Sequence, residues 1–238
     1  MTTLFEHGTL ANLMAGNMGG TITAAELLKH GSQGLGTFDG CDGEVIILNN
    51  EVYQAVSSGK VNHITDLSQK MPFASVHFPK NPQSMKLGQT DFKSLNHQLV
   101  EKLQLKNVFA ALLLNGTFDH VKIRIAVKQN RPYPSLLEAA KKQATFTRDH
   151  ISGTIVGYYA PTIFGTVTAG GWHLHFISDD RQFAGHLLEF KAPQLNGNYE
   201  IFDQLDQHFP VDDQDFRQGK VDLNSLQSSI AQSEGNNN

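Results

Sequence analysis

Apolar and polar residues alternate in short runs along much of the chain, and a two-residue period sends successive side chains to opposite faces of a strand. The clearest case is residues 170–189, GGWHLHFISDDRQFAGHLLE, where Trp172, Leu174 and Phe176 alternate with His173 and His175. Ser178-Asp179-Asp180-Arg181 is a turn signal, since such residues hydrogen-bond their own backbone, and residues 183–190 read as the returning strand. With the hairpin centred between Asp180 and Arg181, His175 stands opposite His186, and opposed residues of an antiparallel pair share a face. His173, His175 and His186 then converge. A slip of one residue would turn His186 to the other face, so the reading depends on register.

The rest of the pattern predicts strands with a few helices between them. Thr23-Ala24-Ala25-Glu26 has capping-box spacing, so the opening segment reads as a helix through Leu27 and Leu28 that Gly31 stops. Residues 35–55, LGTFDGCDGEVIILNNEVYQA, read as strands joined by tight turns, 44–48 and 52–56 being the clearest pair. A strand is expected over 71–78, a polar loop over 79–89, and a helix over 91–103 with Phe92, Leu95, Leu99 and Leu103 on one stripe. The apolar run 107–115 suits a strand covered on both faces. In 120–128, Ile123, Ile125 and Val127 face one way and Lys122, Arg124 and Ala126 the other, which puts Arg124 on the more polar face.

The break QNRPYP at 129–134 divides the chain, because closely spaced prolines fix the backbone and remove donors. A short helix over 135–143 follows, then ATFTRDH, ISGTIVGYYAP, the histidine hairpin and NYEIFDQLD as strands, and a last helical pattern over 221–231. The expected fold class is α/β of the α+β type, with two sheet-rich halves: a mixed α/β domain over 1–133 and a mainly antiparallel, metal-binding domain over 134–238.

Imidazole suits zinc and its first-row neighbours, and three protein ligands leave a position open for water or substrate, as in catalytic rather than structural sites. Three neutral ligands leave the ion its full charge, which favours an anionic substrate. A formal net charge of −4 without a basic cluster argues against nucleic acid or an anionic membrane as partner. Neither a secretory leader nor an apolar stretch of membrane-spanning length is visible, and Cys41 is the one cysteine, so a soluble cytoplasmic protein is expected. Asp39 and Asp42 beside Cys41 oppose its thiolate and make it a poor nucleophile.

Four segments together resemble the bacterial α-acetolactate decarboxylases: GTFDGCDGEVIIL, KIRIAVKQNRPYP, VGYYAP and GGWHLHFISDDRQFAGH, in that order along the chain. Cys41 stands where that family would have an aliphatic residue, and Asn49-Asn50 replaces a more usual Asp-Gly turn. The resemblance implies a homodimeric zinc enzyme that converts acetolactate (2-hydroxy-2-methyl-3-oxobutanoate) into acetoin and carbon dioxide through a metal-stabilised enediolate, with no organic cofactor. It assigns His173, His175 and His186 to the metal, Arg124 to the substrate carboxylate or the developing enediolate, and Glu44 to proton delivery. Glu234 is the carboxylate a folded-over tail would bring. Two rivals are a cupin-like oxygenase or isomerase, disfavoured because only aspartates follow the HxH pair at short spacing, and a non-catalytic zinc-binding domain, disfavoured because Cys41 is the single thiol.

Overall fold

In the computed structural model, residues 1–221 are described. The chain begins β1 (Thr3–His7), α1 (Leu10–Met14), β2 (Ile22–Thr23), α2 (Ala24–Leu27), β3 (Gln33–Phe38), β4 (Asp42–Leu48), β5 (Glu51–Ala55) and β6 (Val61–Ile64). It continues through β7 (Lys70–Met71), β8 (Phe73–His77), β9 (Gln83–Leu87), β10 (Thr90–Asp91), α3 (Phe92–Lys102) and β11 (Ala110–Ile125). The remainder is α4 (Leu136–Ala140), β12 (Ala144–Ala160), β13 (Gly171–Ser178), β14 (Ala184–Ala192), β15 (Leu195–Ile201), β16 (Gln204–His208) and α5 (Gln214–Gln218). The architecture is mostly sheet with few and short helices.

Among the described residues two seven-stranded sheets carry the fold, in the orders β16-β1-β8-β3-β4-β5-β6 and β10-β14-β13-β12-β11-β15-β9. Among the described residues every pairing is antiparallel except β1 with β16, which run parallel from Thr3–Gln204 to His7–His208. β14 also pairs with β11, so β11, β12, β13 and β14 close into a ring. Phe118, Phe176 and Phe190 are fully buried and meet edge to face, Phe118 touching both partners. Burying each such ring is worth about 1.5–3 kcal/mol, which makes this cluster a major anchor of the second sheet. The opposite faces of the same strands, with His173, His175 and Tyr158, look onto the first sheet, whose Leu4 and Leu35 pack with Ala111 and Tyr158.

Several sequence expectations hold. Glu44–Leu48 pairs with Glu51–Ala55 across Asn49 and Asn50, whose φ of 54° and 66° fit a turn that twists with its strands. Thr23 caps α2 by accepting from Glu26 N, and Asp91 caps α3 by accepting from Ser94 N.

Others are corrected. The opening segment starts as a strand, β1, before any helix. The stretch taken as a polar loop contains β9, an edge strand whose Gln83, Ser84 and Lys86 are exposed and whose backbone pairs with β15, so its polarity hid it. The runs 107–115 and 120–128 belong to one strand, as do ATFTRDH and ISGTIVGYYA, because β11 and β12 pair continuously enough to carry the chain past Gly116 and Gly153. NYEIFDQLD divides between β15 and β16, which belong to different sheets. Strands on both sides of residue 133 contribute to each sheet, β11 and β12 flanking the proline break as direct partners. Of the helical pattern expected over 221–231, only Val221 lies within the described residues.

Candidate active site

The histidine hairpin forms in the expected register: His175 pairs with His186, and Ile177 with Ala184, around a turn in which Arg181 has a φ of 59°. Ser178 holds the turn, its Oγ donating to Asp180 Oδ1 and accepting from the Phe183 and Gln182 amides. Gly157 of β12 lies beside the histidine-bearing strand β13; a Cβ there would clash with the His173 carbonyl, so glycine is what permits the close approach.

One ligand atom from each of His173, His175 and His186 lies within 4.8 Å of the others. His175 is 1% exposed; its Nδ1–H donates to the Val45 carbonyl at 3.1 Å, which fixes the tautomer and turns the Nε2 lone pair inward. That Nε2 is buried with no hydrogen-bond partner among the described residues and lies 3.5 Å from Glu44 Oε2. Burial, then Arg124, pushes His173 down to about 3, while burial, then His173, holds His175 well below the usual imidazole range. All these features fit a divalent cation: neutral imidazoles converge, and a buried nitrogen seeks a partner.

Arg124 stands across the β11–β14 ladder from His186 and is 7% exposed. Its alternating face was read correctly as distinct from that of Ile123, but this face meets the other sheet rather than solvent. Arg124 Nη2 donates to His186 Nε2 at 3.1 Å, a contact that a cation bound through that nitrogen would replace.

Glu44 arrives from the first sheet. Gly43 before it has a φ of 75°, and a Cβ there would run into the Ala55 carbonyl, so the Asp42-Gly43 turn needs its glycine. Thr37 Oγ1 donates to Gly43 O at 2.7 Å and steadies the same turn. Ala126 N donates to Glu44 Oε1 at 3.1 Å, tying the carboxylate to the end of the Arg124 strand.

A cleft opens beside these groups, lined by Glu44, Arg124, His173 and His186 with an apolar wall of Leu10, Leu13, Phe73 and Leu136. The sequence reading did not single out Thr37 or Gln143, which also line it. No spacing motif marks either, since both reach the cleft through strand pairing and chain reversal. Cys41 joins the wall but is 2% exposed, and burial, then Glu44 and Asp39, pushes its thiol up; it is part of the wall and not a nucleophile. Glu234 lies outside the described residues.

A mostly antiparallel two-sheet fold with three imidazoles, a guanidinium and a carboxylate gathered beside a cleft defines an enzyme with a buried polar centre. The alpha-acetolactate decarboxylase family model matches residues 4–223. The sequence is 39% identical to the alpha-acetolactate decarboxylase of Streptococcus thermophilus over 97% of this chain and 98% of that protein. It is 37% identical to that of Lactococcus lactis subsp. cremoris over 97% of each. The crystal structure of alpha-acetolactate decarboxylase from Bacillus subtilis matches with a TM-score of 0.94 at 27% identity, covering 98% of this chain and 99% of that one. The chain belongs to the alpha-acetolactate decarboxylase family, and it is an enzyme, a carboxy-lyase acting on acetolactate. Among the described residues no helix is long and apolar enough to cross a membrane.

Proposed function

We propose that the chain decarboxylates acetolactate to acetoin and carbon dioxide with zinc held by His173, His175 and His186. The observation that carries this reading is the convergence of the three imidazoles within 4.8 Å, beside a buried arginine and a buried glutamate. Zinc bound there would supply Lewis acidity toward the substrate's hydroxyl and ketone oxygens, a sink for the electron pair left when carbon dioxide departs.

The chain's own residues do the rest. Arg124, permanently charged and low in exposure, binds the substrate carboxylate and turns it toward the histidines. Glu44 delivers the proton that completes acetoin; Ala126 N holds its Oε1, and its Oε2 faces the His175 side of the site. A fixed donor on one side of a planar intermediate gives one enantiomer of product. The wall of Leu10, Leu13 and Leu136 keeps water from the reacting carbon. Glu234 is the second carboxylate in this reading; Val221, the last described residue, packs against the cluster of Leu10, Leu13, Cys41 and Leu136. Resemblance to the family supports a homodimer, and the single cysteine supports a cytoplasmic location.

The test is to add acetolactate to purified protein and assay acetoin, before and after chelation and after zinc is restored. Loss on chelation with recovery on zinc is the expected result; full turnover by metal-free protein would overturn the metal assignment.

A further inference from the structure

Among the described residues, each polar side chain lining the cleft has an evident task except one. The Thr37 hydroxyl is spent on Gly43 O, Glu44 is the proton donor of the reading above, and the histidines face one another. Gln143 also lines the cleft, yet its side-chain amide makes no hydrogen bond among the described residues. Its backbone is well fixed: Gln143 N donates to Ala140 O at 3.2 Å just past the end of α4, and the next residue, Ala144, pairs with Ile125. That pairing sets Gln143 beside Ala126, two residues along β11 from Arg124, and all three border the same cleft.

We propose that Gln143 is a specificity-determining residue whose Nε2 donates to the substrate carboxylate that Arg124 also holds; this rests on the role given to Arg124 above. The two donors divide the work. Arg124 supplies charge, whereas the amide supplies a directed donor that adds no positive charge beside the histidines. The contact is made to the group that leaves as carbon dioxide, so it selects an acid over the neutral product and helps the product to depart.

The test uses Gln143→Ala and Gln143→Glu in the metal-loaded enzyme, with metal content and melting temperature checked against the parent. Three ligands are compared: acetolactate as substrate, 2-hydroxyisobutyrate as a carboxylate that cannot decarboxylate, and acetoin as a neutral inhibitor. Gln143→Ala should raise KM about tenfold without lowering kcat, as expected for a lost hydrogen bond to a charged group that is strongest in the ground state and weakens as the carboxylate becomes carbon dioxide. Inhibition by 2-hydroxyisobutyrate should weaken in step while inhibition by acetoin stays put, and Gln143→Glu should weaken both acids further. KM within twofold of the parent in both variants would overturn the proposal, as would equal weakening of acid and acetoin, which marks a purely structural wall. Arg124→Ala is measured alongside: if 2-hydroxyisobutyrate still binds it as tightly as the parent, the Arg124 reading fails, whatever the Gln143 variants show.

Discussion

Two polar clusters are buried between the sheets, and they are built from the same residue types to opposite ends. One is the centre at His173, His175, His186, Arg124 and Glu44. The other gathers Glu6, Tyr158, His77 and Glu200. In the second, Tyr158 OH donates to Gln33 O at 2.9 Å, and His77 Nδ1 lies 2.9 Å from the same hydroxyl. Glu200 accepts from the Lys80 and Asn81 amides, and Ser75 Oγ donates to Glu6 Oε2 at 2.8 Å. The His77 and Glu200 side chains, 3.9 Å apart, do not converge on a shared point as the three histidines do. Burial of a histidine or carboxylate therefore does not by itself set the first cluster apart; an inward-facing nitrogen without a partner among the described residues, beside a cleft, does.

This contrast can be broken experimentally. His175→Ala should abolish zinc retention and bring turnover to background, measured by metal analysis and acetoin assay; a variant that keeps both would equate the two clusters. Glu44→Gln should keep zinc but lose turnover by about 10²–10⁴-fold, the range for a general acid or base. Full activity in that variant would remove Glu44 from the chemistry. Arg124→Ala should likewise keep zinc while losing decarboxylation, and an unchanged rate would return it to a structural role.

The second cluster should answer in stability instead. Tyr158→Phe leaves His77 Nδ1 and the Gln33 carbonyl without their shared partner and should cost about 1–3 kcal/mol in denaturant titration, with kcat held. A large loss of kcat would join this cluster to the catalytic one. The same cluster should also give a slope with pH. Burial raises the Glu6 carboxyl from 4.5 to about 8, against weaker lowering by Ser75 and Thr168. Between those values the unfolded chain has released a proton that the fold retains, so this group's contribution to stability is whole below 4.5 and is lost as pH rises toward about 8. Glu6→Gln should flatten that part of the stability profile; an unchanged slope would assign it to another group.

The histidine cluster was the more legible of the two in the sequence, for a physical reason. His173, His175 and His186 sit on one hairpin, so a turn and a two-residue period suffice to bring them together. Arg124 could be placed on a face but not beside His186, because β14 finds β11 as a second partner only when the ring closes. Glu44 was recognised by the motif around it, while its approach to His175 depends on the stacking of two sheets. Nothing local marked Glu6 or Tyr158, and β9 read as a loop because the exposed Gln83, Ser84 and Lys86 outnumber Met85 and Leu87, the side chains it turns to the core.

The parallel pairing of β1 with β16 has a bearing on synthesis. Residues 3–7 are made well before one of their two neighbours, which follows some 200 positions later. Until residues 204–208 emerge, that flank of the first sheet is a bare backbone ladder exposed to the crowded cell. Translation speed through β16, or a chaperone that shields the waiting β1, should therefore bear on the yield of folded enzyme.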